Sequence, residues 1–366
     1  MNTTKKGRSA VPCPPRVPWA TCLLAVALLA SGDRPAIADA DAPKPDVKRD
    51  AEVDRAVSRA TDYLFAQQLP SGAWRSDQYG EMTSMTSLAL MACLAAGIVP
   101  GEGPHAANID RAVRWVLDHQ RDDGMLIDHV SHGPMYCHGI STLMLAEVAG
   151  MTPRDQNEPV RKALEQAIKV ILAAQDRPKP QHQAGGWRYQ PNSGDSDLSV
   201  TGWQLLALRA ARNIGCDVPA ENIDRAVAYV KRCSVRGNHG FGYQPGDGAT
   251  AVRSGTGILA LEICGEHHAP ESLGAAEFIL HNPLRYEENF FFYGAYYCGL
   301  GMFQIGGASW ETSRDSLYAQ LLTRQEANGS WQAANGGELG VGRNYSTSMA
   351  VLSLTVEYQY LPIYQR

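Results

Sequence analysis

The chain has 366 residues, a formal net charge of −5, and 44% hydrophobic and 19% charged residues. These values exclude a disordered chain, a collagen-like fibre and a small disulfide-stapled scaffold, and they supply enough apolar residues for one large domain or two ordinary ones. The acidic excess offers no electrostatic footprint for nucleic acid, so we expect no nucleic-acid partner.

Residues 1–38 have the pattern of a secretory signal peptide. A basic segment precedes an apolar run from Trp19 to Ala30, and Ala36-Ile37-Ala38 fits a small-x-small cleavage site. The run is too short to span a bilayer, and no later stretch is apolar enough to do so. We therefore expect an exported protein, periplasmic or extracellular, that is cleaved near Asp39. A short linker over 39–51 would then lead into one domain over 52–366.

The cysteines of the mature chain lie mostly within apolar helical stretches. This placement favours buried free thiols over disulfides, although export would permit disulfides. No CxxC pair is present, which argues against a structural zinc site. The six residues concerned are Cys93, Cys137, Cys216, Cys233, Cys264 and Cys298.

Internal repeats are the strongest signal in the chain. The segments Val53–Val57, Ile109–Val113 and Ile223–Val227 are near copies of one helix start. Each opens an amphipathic stretch, which is followed by a Gly-rich turn with an aromatic residue and then by a second apolar stretch. The pattern predicts six helical hairpins that begin near Glu52, Ile109, Val160, Ile223, Ser272 and Thr312.

The two helices of a hairpin differ in polarity. The first helices carry charges on one face, as in Arg161–Ala167, whereas second helices such as Ser87–Gly97 and Gly255–Ile263 are nearly free of charge. A helix that is apolar on most sides must be covered on most sides. We therefore expect the second helices to form an inner ring and the first helices an outer ring.

A turn motif joins the two helices of several hairpins. The segments Gln68–Trp74 and Gln325–Trp331 share Gln, three residues and Gly-x-Trp, and Gln120–Gly124 is a partial copy. The Gln amide can satisfy backbone groups at a helix end while the Trp packs over the turn. We interpret the motif as a structural fastening between the two rings.

These repeats resemble the terpenoid cyclase and protein prenyltransferase β-subunit superfamily, whose members carry such Gln–Trp repeats. Gly185-Gly186-Trp187 adds a third related turn, and the resemblance covers about residues 52–366. It implies an all-α fold, an α/α toroid of six helical hairpins. The superfamily includes many activities, so the resemblance by itself does not assign a function.

Aligned inner helices would all begin at one mouth of the toroid. One ring of equivalent positions is then Glu81, Tyr136, Ser199, Val252, Phe291 and Tyr345. The ring two residues further on is Thr83, His138, Thr201, Ser254, Tyr293 and Thr347. Converging helix N-termini create a positive potential, and aromatic faces can contact an apolar ligand or a cation. We expect ligand contacts from Tyr136, His138, Arg253, Phe291, Tyr293 and Tyr345, unless these residues only cap the helices and fill the ring.

Two carboxylates precede the third inner helix. Asp195 and Asp197 resemble the acidic cluster of squalene–hopene-type cyclases, which implies Asp197 as a proton donor and Asp195 as the residue that tunes it. The chain has Leu198 where that family has its last Asp. Asp197 is equally suited to capping the helix that begins at Leu198.

Protein prenylation is the activity that the sequence argues against. That family's zinc ligands correspond here to Asp197, Ser199 and Tyr293, and Ser and Tyr are poor zinc ligands. The sequence also shows no HExxH, G-x-S-x-G or P-loop motif, so we expect no metal and no cofactor.

Three functional hypotheses remain open. The leading hypothesis is binding of an apolar, isoprenoid-like ligand or an extended peptide at the mouth. The second is a terpene cyclase that uses Asp197. The third is a secreted polysaccharide lyase or hydrolase, for which Glu81, His138 and Arg253 are the nearest candidates. The sequence does not indicate the oligomeric state.

Overall fold

The computed structural model describes residues 47–128, 133–237 and 239–365, with side chains from residue 51 onward. The predicted signal peptide lies outside the described residues, as does most of the predicted linker. The first helix begins at Val47, within that linker. The cleavage site and the domain boundary at residue 52 therefore stay predictions.

Six outer helices alternate along the chain with six inner helices. The outer helices are α1 (Val47–Gln67), α3 (Ala106–Asp118), α5 (Glu158–Gln175), α7 (Ala220–Arg232), α9 (Pro270–His281) and α11 (Gly307–Arg324). The inner helices are α2 (Thr83–Ala95), α4 (Pro134–Met151), α6 (Leu198–Asn213), α8 (Ala251–Ile263), α10 (Phe291–Ile305) and α13 (Arg343–Leu354). The short helix α12 (Gly336–Val341) precedes α13. Strands β1 (Arg75–Ser76) and β2 (Gly80–Glu81) form a small antiparallel hairpin before α2.

The inner helices close into a ring. Each of them packs against the next, and α13 packs against α2, while every outer helix packs on its own inner partner or on the neighbouring one. The predicted α/α toroid of six hairpins is thereby confirmed. In the part of the chain that the structure describes, no helix combines the length and the hydropathy needed to cross a bilayer.

Burial explains the difference between the two rings. Every residue of α2 is buried, because other helices surround it on all sides. The outer helix α3 buries only Ile109, Ala112, Trp115 and Val116, which lie on one helical stripe. The charges of the outer helices thus face solvent. The six cysteines are free thiols in this structure, and four of them are buried.

In four of the six hairpins, a Gln in the turn bonds the hairpin to the next outer helix. The Gln68 amide donates hydrogen bonds to the carbonyls of Gly72, in its own turn, and Asn108, on α3, both at 2.9 Å. Gly72 has φ +100°, and a side chain there would meet the Arg111 carbonyl oxygen at 2.5 Å. Gln120, Gln175 and Gln325 make the equivalent pairs of bonds.

The fastening at Gln175 was not visible in the sequence. Nine residues, 176–184, separate Gln175 from Gly185 in place of the usual three, and they hide the regular spacing. The folded chain restores the contact, since the Gln175 amide lies 2.7 Å from the Gly185 carbonyl oxygen. The last of these bonds runs from Gln325, the residue after α11, to the Ala56 carbonyl on α1 at 2.8 Å, and it closes the outer ring.

The C-terminal segment packs across the end of the ring opposite the inner-helix N-termini. The Tyr364 hydroxyl bonds to that of Tyr296 at 2.7 Å, and the Ile363 amide donates to Glu147 Oε2 at 3.3 Å. Glu147 is buried near the C-terminal end of α4, and its other oxygen has no hydrogen-bond partner among the described residues. Burial therefore raises the pKa of Glu147 to about 8, which the Ile363 hydrogen bond only partly offsets.

The Glu147 pKa predicts a pH-dependent stability. The pKa of Glu147 in the folded protein lies above the ordinary value of 4.5. Its contribution to the free energy of unfolding is therefore fully present below about pH 4.5 and is lost as the pH rises towards 8. The loss should be on the order of 4 kcal/mol. Urea unfolding of the wild type and Glu147→Gln across this range checks it.

The amide of Glu147→Gln cannot ionise, so its unfolding free energy should vary less between pH 6.5 and 8 than that of the wild type. Glu165→Gln, an exposed carboxylate change on α5, is the matched control and should keep the wild-type slope. The facing hydroxyls of Tyr296 and Tyr364, whose pKa values are raised above 10.0, do not titrate in this range. An unchanged slope in Glu147→Gln would contradict the assignment.

Candidate functional site

The mouth of the toroid brings together six of the eight predicted site residues, of which Asp195 lies beside Asp197 and the others come from five inner helices or their caps. Tyr136 lies on α4, Asp197 before α6, Arg253 on α8, Tyr293 on α10 and Tyr345 on α13. Burial raises the pKa of Tyr136 well above its ordinary value, and the neighbouring Tyr293 and Asp197 raise it further. Burial also raises the pKa of Tyr345, and the neighbouring Glu338 and Tyr293 raise it further.

Asp197 is a buried helix cap. Its Oδ1 accepts the Val200 amide at 2.8 Å, as expected for the residue before α6. Its Oδ2 is 3.5 Å from Arg188 Nη1, and neither of these atoms makes a hydrogen bond in the described structure. Burial raises the pKa of Asp197 to about 6, although the Val200 hydrogen bond and the Arg188 charge act in the opposite direction.

Asp195 lies beside Asp197 but is half exposed. Its Oδ2 is 3.4 Å from Arg188 Nε and 3.5 Å from the Gln244 amide. Arg188 therefore bridges the two carboxylates. The Arg188 charge lowers the pKa of Asp197, which reduces the fraction of this carboxyl that holds a proton to donate.

Two guanidinium groups lie against one tyrosine ring at the rim of the mouth. The Arg188 guanidinium carbon is 5.3 Å from the Tyr243 ring centroid, and that of Arg253 is 5.1 Å away. The Tyr243 hydroxyl is hydrogen-bonded to Tyr189. Arg188 has carboxylate partners, whereas Arg253 makes no ion pair among residues 47–128, 133–237 and 239–365. Arg253 therefore presents a positive charge that no carboxylate of the described residues balances.

Glu338 caps the N-terminus of α10 from the short helix α12. Its Oε2 accepts the Phe292 amide at 3.1 Å, and its Oε1 accepts the Tyr293 amide at 2.8 Å and the Tyr345 hydroxyl at 3.1 Å. Burial raises the pKa of Glu338, and these three hydrogen bonds lower it. The carboxylate thus joins α10, α12 and α13 on one side of the mouth.

His138 and Phe291 lie in the core instead of at the mouth surface. His138 is buried, its Nδ1 accepts the Leu126 amide at 3.1 Å, and its Nε2 is 3.0 Å from the Ala167 carbonyl oxygen. Burial lowers the pKa of His138 to about 4. Phe291 is buried against Tyr286 and Phe292. Neither side chain is available to a ligand at the mouth.

The other repeats explain the position of His138. At the equivalent place, a hydroxyl accepts the backbone N–H of the turn residue, as in the bond from Trp187 to Thr201 at 3.0 Å. Thr86, Ser254 and Thr347 do the same. The first repeat was therefore misaligned in the sequence by three residues, because Thr86 and not Thr83 occupies this place. His138 replaces a hydroxyl in a structural hydrogen bond.

The centre of the ring beneath the mouth is filled with aromatic side chains. The Trp203 ring stacks on Tyr296 with centroids 5.4 Å apart, and the edge of Tyr297 meets the same ring at 5.4 Å. All three residues are buried. A ligand at the mouth would therefore rest on a packed floor.

Glu338, Arg188 and Tyr243 were not among the site residues predicted from the sequence. Glu338 lies on a six-residue helix outside the repeat pattern, so no spacing pointed to it. Arg188 and Tyr243 follow turn glycines in Gly-Gly-Trp-Arg-Tyr and Gly-Phe-Gly-Tyr. The similarity of these two turns is the signal that could have indicated a shared role. In the described ranges, no three His, Cys, Asp or Glu side chains form a group that could hold a metal ion.

The fold and the repeats agree with a known family. The profile described as "Prenyltransferase alpha-alpha toroid domain" matches residues 47–177 and 178–291. The chain belongs to this family. Among relatives of this toroid is drimenyl diphosphate synthase of Streptomyces showdoensis, which is 27% identical over 175 residues, or 48% of this chain and 30% of that protein.

A second relative is ent-copalyl diphosphate synthase of Streptomyces sp. (strain KO-3988), 37% identical over 76 residues, or 20% of this chain and 14% of that protein. The matched part of the toroid spans less than a third of either relative. Both of these relatives are terpene synthases, and this chain aligns with only a part of each.

Solved structures of two kinds share the toroid fold. Type II terpene cyclase MstE from Scytonema, as a variant in complex with merosterolic acid A, has a TM-score of 0.56 and 14% identity over 86% of this chain and 99% of that one. The GH76A α-1,6-mannanase of Salegentibacter sp. HEL1_6 has a TM-score of 0.63 and 7% identity over 84% and 99%. Such low identities establish the fold alone.

Substitution of Asp197 should separate its capping role from its ionic role. Asp197→Ala removes the cap and leaves Arg188 without its buried partner, so unfolding should cost about 2–4 kcal/mol less. Asp197→Asn keeps an oxygen that can accept the Val200 amide and should lose only about half as much. Urea unfolding at pH 7 measures both. Equal losses would contradict the capping role.

Proposed function

We propose that this toroid binds, at its mouth, an amphiphile with an apolar, isoprenoid-like body and an anionic head. The observation that carries the proposal is the convergence of tyrosine side chains from several inner helices beside the Arg253 guanidinium, which has no carboxylate partner in the part of the chain that the structure describes. The similarity to terpene synthases supports an isoprenoid-like body. An extended peptide, the other ligand that the sequence left open, has no comparable support.

The apolar part of the ligand would lie on Tyr136, Tyr293 and Tyr345. These rings come from α4, α10 and α13 and surround the packed floor formed by Trp203 and Tyr297. Aromatic side chains contribute large contact areas with little loss of side-chain entropy. Each of the three tyrosines keeps part of its surface exposed.

The anionic head would bind at Arg253. Its guanidinium is held against the Tyr243 ring but makes no ion pair within the described residues. A positioned guanidinium binds carboxylate or phosphate through charge-assisted hydrogen bonds. The N-terminus of α8, where Arg253 lies, adds a favourable potential for an anion.

Terpene cyclisation is the second candidate, and Asp197 is the observation that favours it. The carboxyl is buried and its pKa is raised to about 6, as a proton donor requires. Two features weigh against it: Arg188 stabilises the carboxylate, and the filled centre of the ring leaves no described chamber around a substrate. If the chain is a cyclase, incubation with farnesyl monophosphate should yield cyclised products that disappear in Asp197→Asn.

A polysaccharide-active enzyme receives less support than either. The fold neighbours include glycosidases, but two of the three residues that the sequence offered for such chemistry are engaged elsewhere. Glu81 accepts a hydrogen bond from Ser71 at 3.1 Å, and His138 is a buried structural residue.

Binding can be tested with farnesyl monophosphate and its neutral counterpart farnesol. Isothermal titration calorimetry should detect both with the wild type, and the phosphate should bind more tightly. Arg253→Gln should weaken farnesyl monophosphate binding by about 10- to 100-fold, because a charge-assisted hydrogen bond is lost, and should leave farnesol binding unchanged.

Arg212→Gln is the matched control, since Arg212 is an exposed arginine at the opposite end of the inner helix α6. It should bind both probes like the wild type. Absence of binding by the wild type would refute the proposed ligand class. Equal effects of Arg253→Gln on both probes would refute the role of Arg253 in head binding.

We also propose that the protein is exported and works outside the cytoplasm. The support is the signal-peptide pattern of residues 1–38. Cleavage would remove five basic residues and one acidic residue, so the net charge would change from −5 for the full chain to −9 for the mature chain. Intact-mass measurement of the protein from its native cells should give a chain that begins near Asp39. An intact N-terminus on the protein would contradict cleavage.

A further inference from the structure

Phe290 is an unusual residue at the edge of the mouth. It precedes α10 with φ +63° and ψ 32°, the left-handed region that bulky residues rarely adopt. Among the described residues, only His268 and Gln359 share a positive φ without being glycine. The Phe290 side chain is also 55% exposed, although exposure of a phenylalanine is unfavourable.

The surrounding contacts hold Phe290 in this conformation. Glu338 fixes the amides of Phe292 and Tyr293, and the Gly294 amide donates to the Phe290 carbonyl at 2.8 Å. The side chains of the next two residues are buried, so the first turn of α10 is anchored in the core on one side. Phe290 is thereby left outside the core at a fixed position.

A second exposed apolar residue lies next to Glu338, the residue that bonds α12 to the first turn of α10. Leu339 follows Glu338 on α12 and is 40% exposed. Of the four large apolar side chains that are most exposed in the described ranges, these two belong to the segments that Glu338 joins. Phe290 is the residue immediately before α10, so it lies at the mouth end of the helix that carries Tyr293.

We propose that Phe290 is a specificity-determining residue that covers the apolar body of the bound ligand, and that Glu338 is the positioning residue that holds it there. This inference rests on the proposed function and names the part of the mouth that selects for apolar surface. The core does not require an exposed phenylalanine in a strained conformation. A ligand that lies on Tyr136, Tyr293 and Tyr345, by contrast, needs a side chain that covers it on its solvent side. Leu339 extends the same apolar edge.

The test compares stability with ligand binding in Phe290→Asn. Asparagine adopts the left-handed conformation readily, so the thermal midpoint of the free protein should stay equal or rise by about 2 °C. The affinity for farnesol should nevertheless fall about tenfold, because the apolar cover is lost. A residue with a merely structural role would change stability and binding in the same direction. Leu273→Ala, an exposed apolar residue on α9, is the matched control and should bind farnesol like the wild type.

Glu338→Gln tests the positioning role. An amide offers a single acceptor oxygen, so the first turn of α10 should loosen and farnesol affinity should fall. If Glu338 acts through Phe290, the double variant Glu338→Gln/Phe290→Asn should bind farnesol no more weakly than the weaker single variant.

Three outcomes would overturn the inference. Wild-type affinity in Phe290→Asn would refute the cover while leaving the proposed function intact. Additive losses in the double variant would refute the coupling to Glu338. Failure of the wild type to bind either farnesol or farnesyl monophosphate would refute this inference and the proposed function together.

Discussion

The need to cover apolar inner helices on every side is the constraint on which the rest of this structure depends. A helical hairpin cannot cover its apolar inner helix by itself, so each hairpin needs its neighbours on both sides. Gln68, Gln120, Gln175 and Gln325 bond one hairpin turn to the next outer helix, and the last of them joins the end of the chain to its beginning. The closed ring that results leaves no exposed end repeat.

Closure of the ring also decides where a ligand can bind. All inner helices begin at one mouth, while the C-terminal segment and Glu147 cover the opposite end. The ring centre is filled by Trp203 and its tyrosine neighbours, so the proposed ligand would lie at the mouth and not inside the ring. An aromatic surface above a packed ring centre is better suited to binding than to enclosing a reactive intermediate.

Polar residues at the starts of the inner helices have different roles, although they occupy related positions in the repeats. Asp197 and Glu338 cap inner helices, and both are buried carboxylates whose pKa is raised by burial. His138, in contrast, has only a structural duty, since it replaces a hydroxyl that in other repeats accepts the N–H of the turn. Residue type alone therefore does not separate functional groups from structural ones in a repeat protein. The contacts of each side chain do.

The sequence alone determined the repeat number, the inner and outer helices and the toroid, because these depend on local periodicity and on a motif with regular spacing. It also placed Tyr136, Asp197, Arg253, Tyr293 and Tyr345 near one mouth. Only the tertiary structure decided that His138 and Phe291 are core residues, that Glu338 reaches α10 and that Phe290 stands outside. These contacts join segments that are distant in the chain or outside the repeat pattern, so no spacing encodes them.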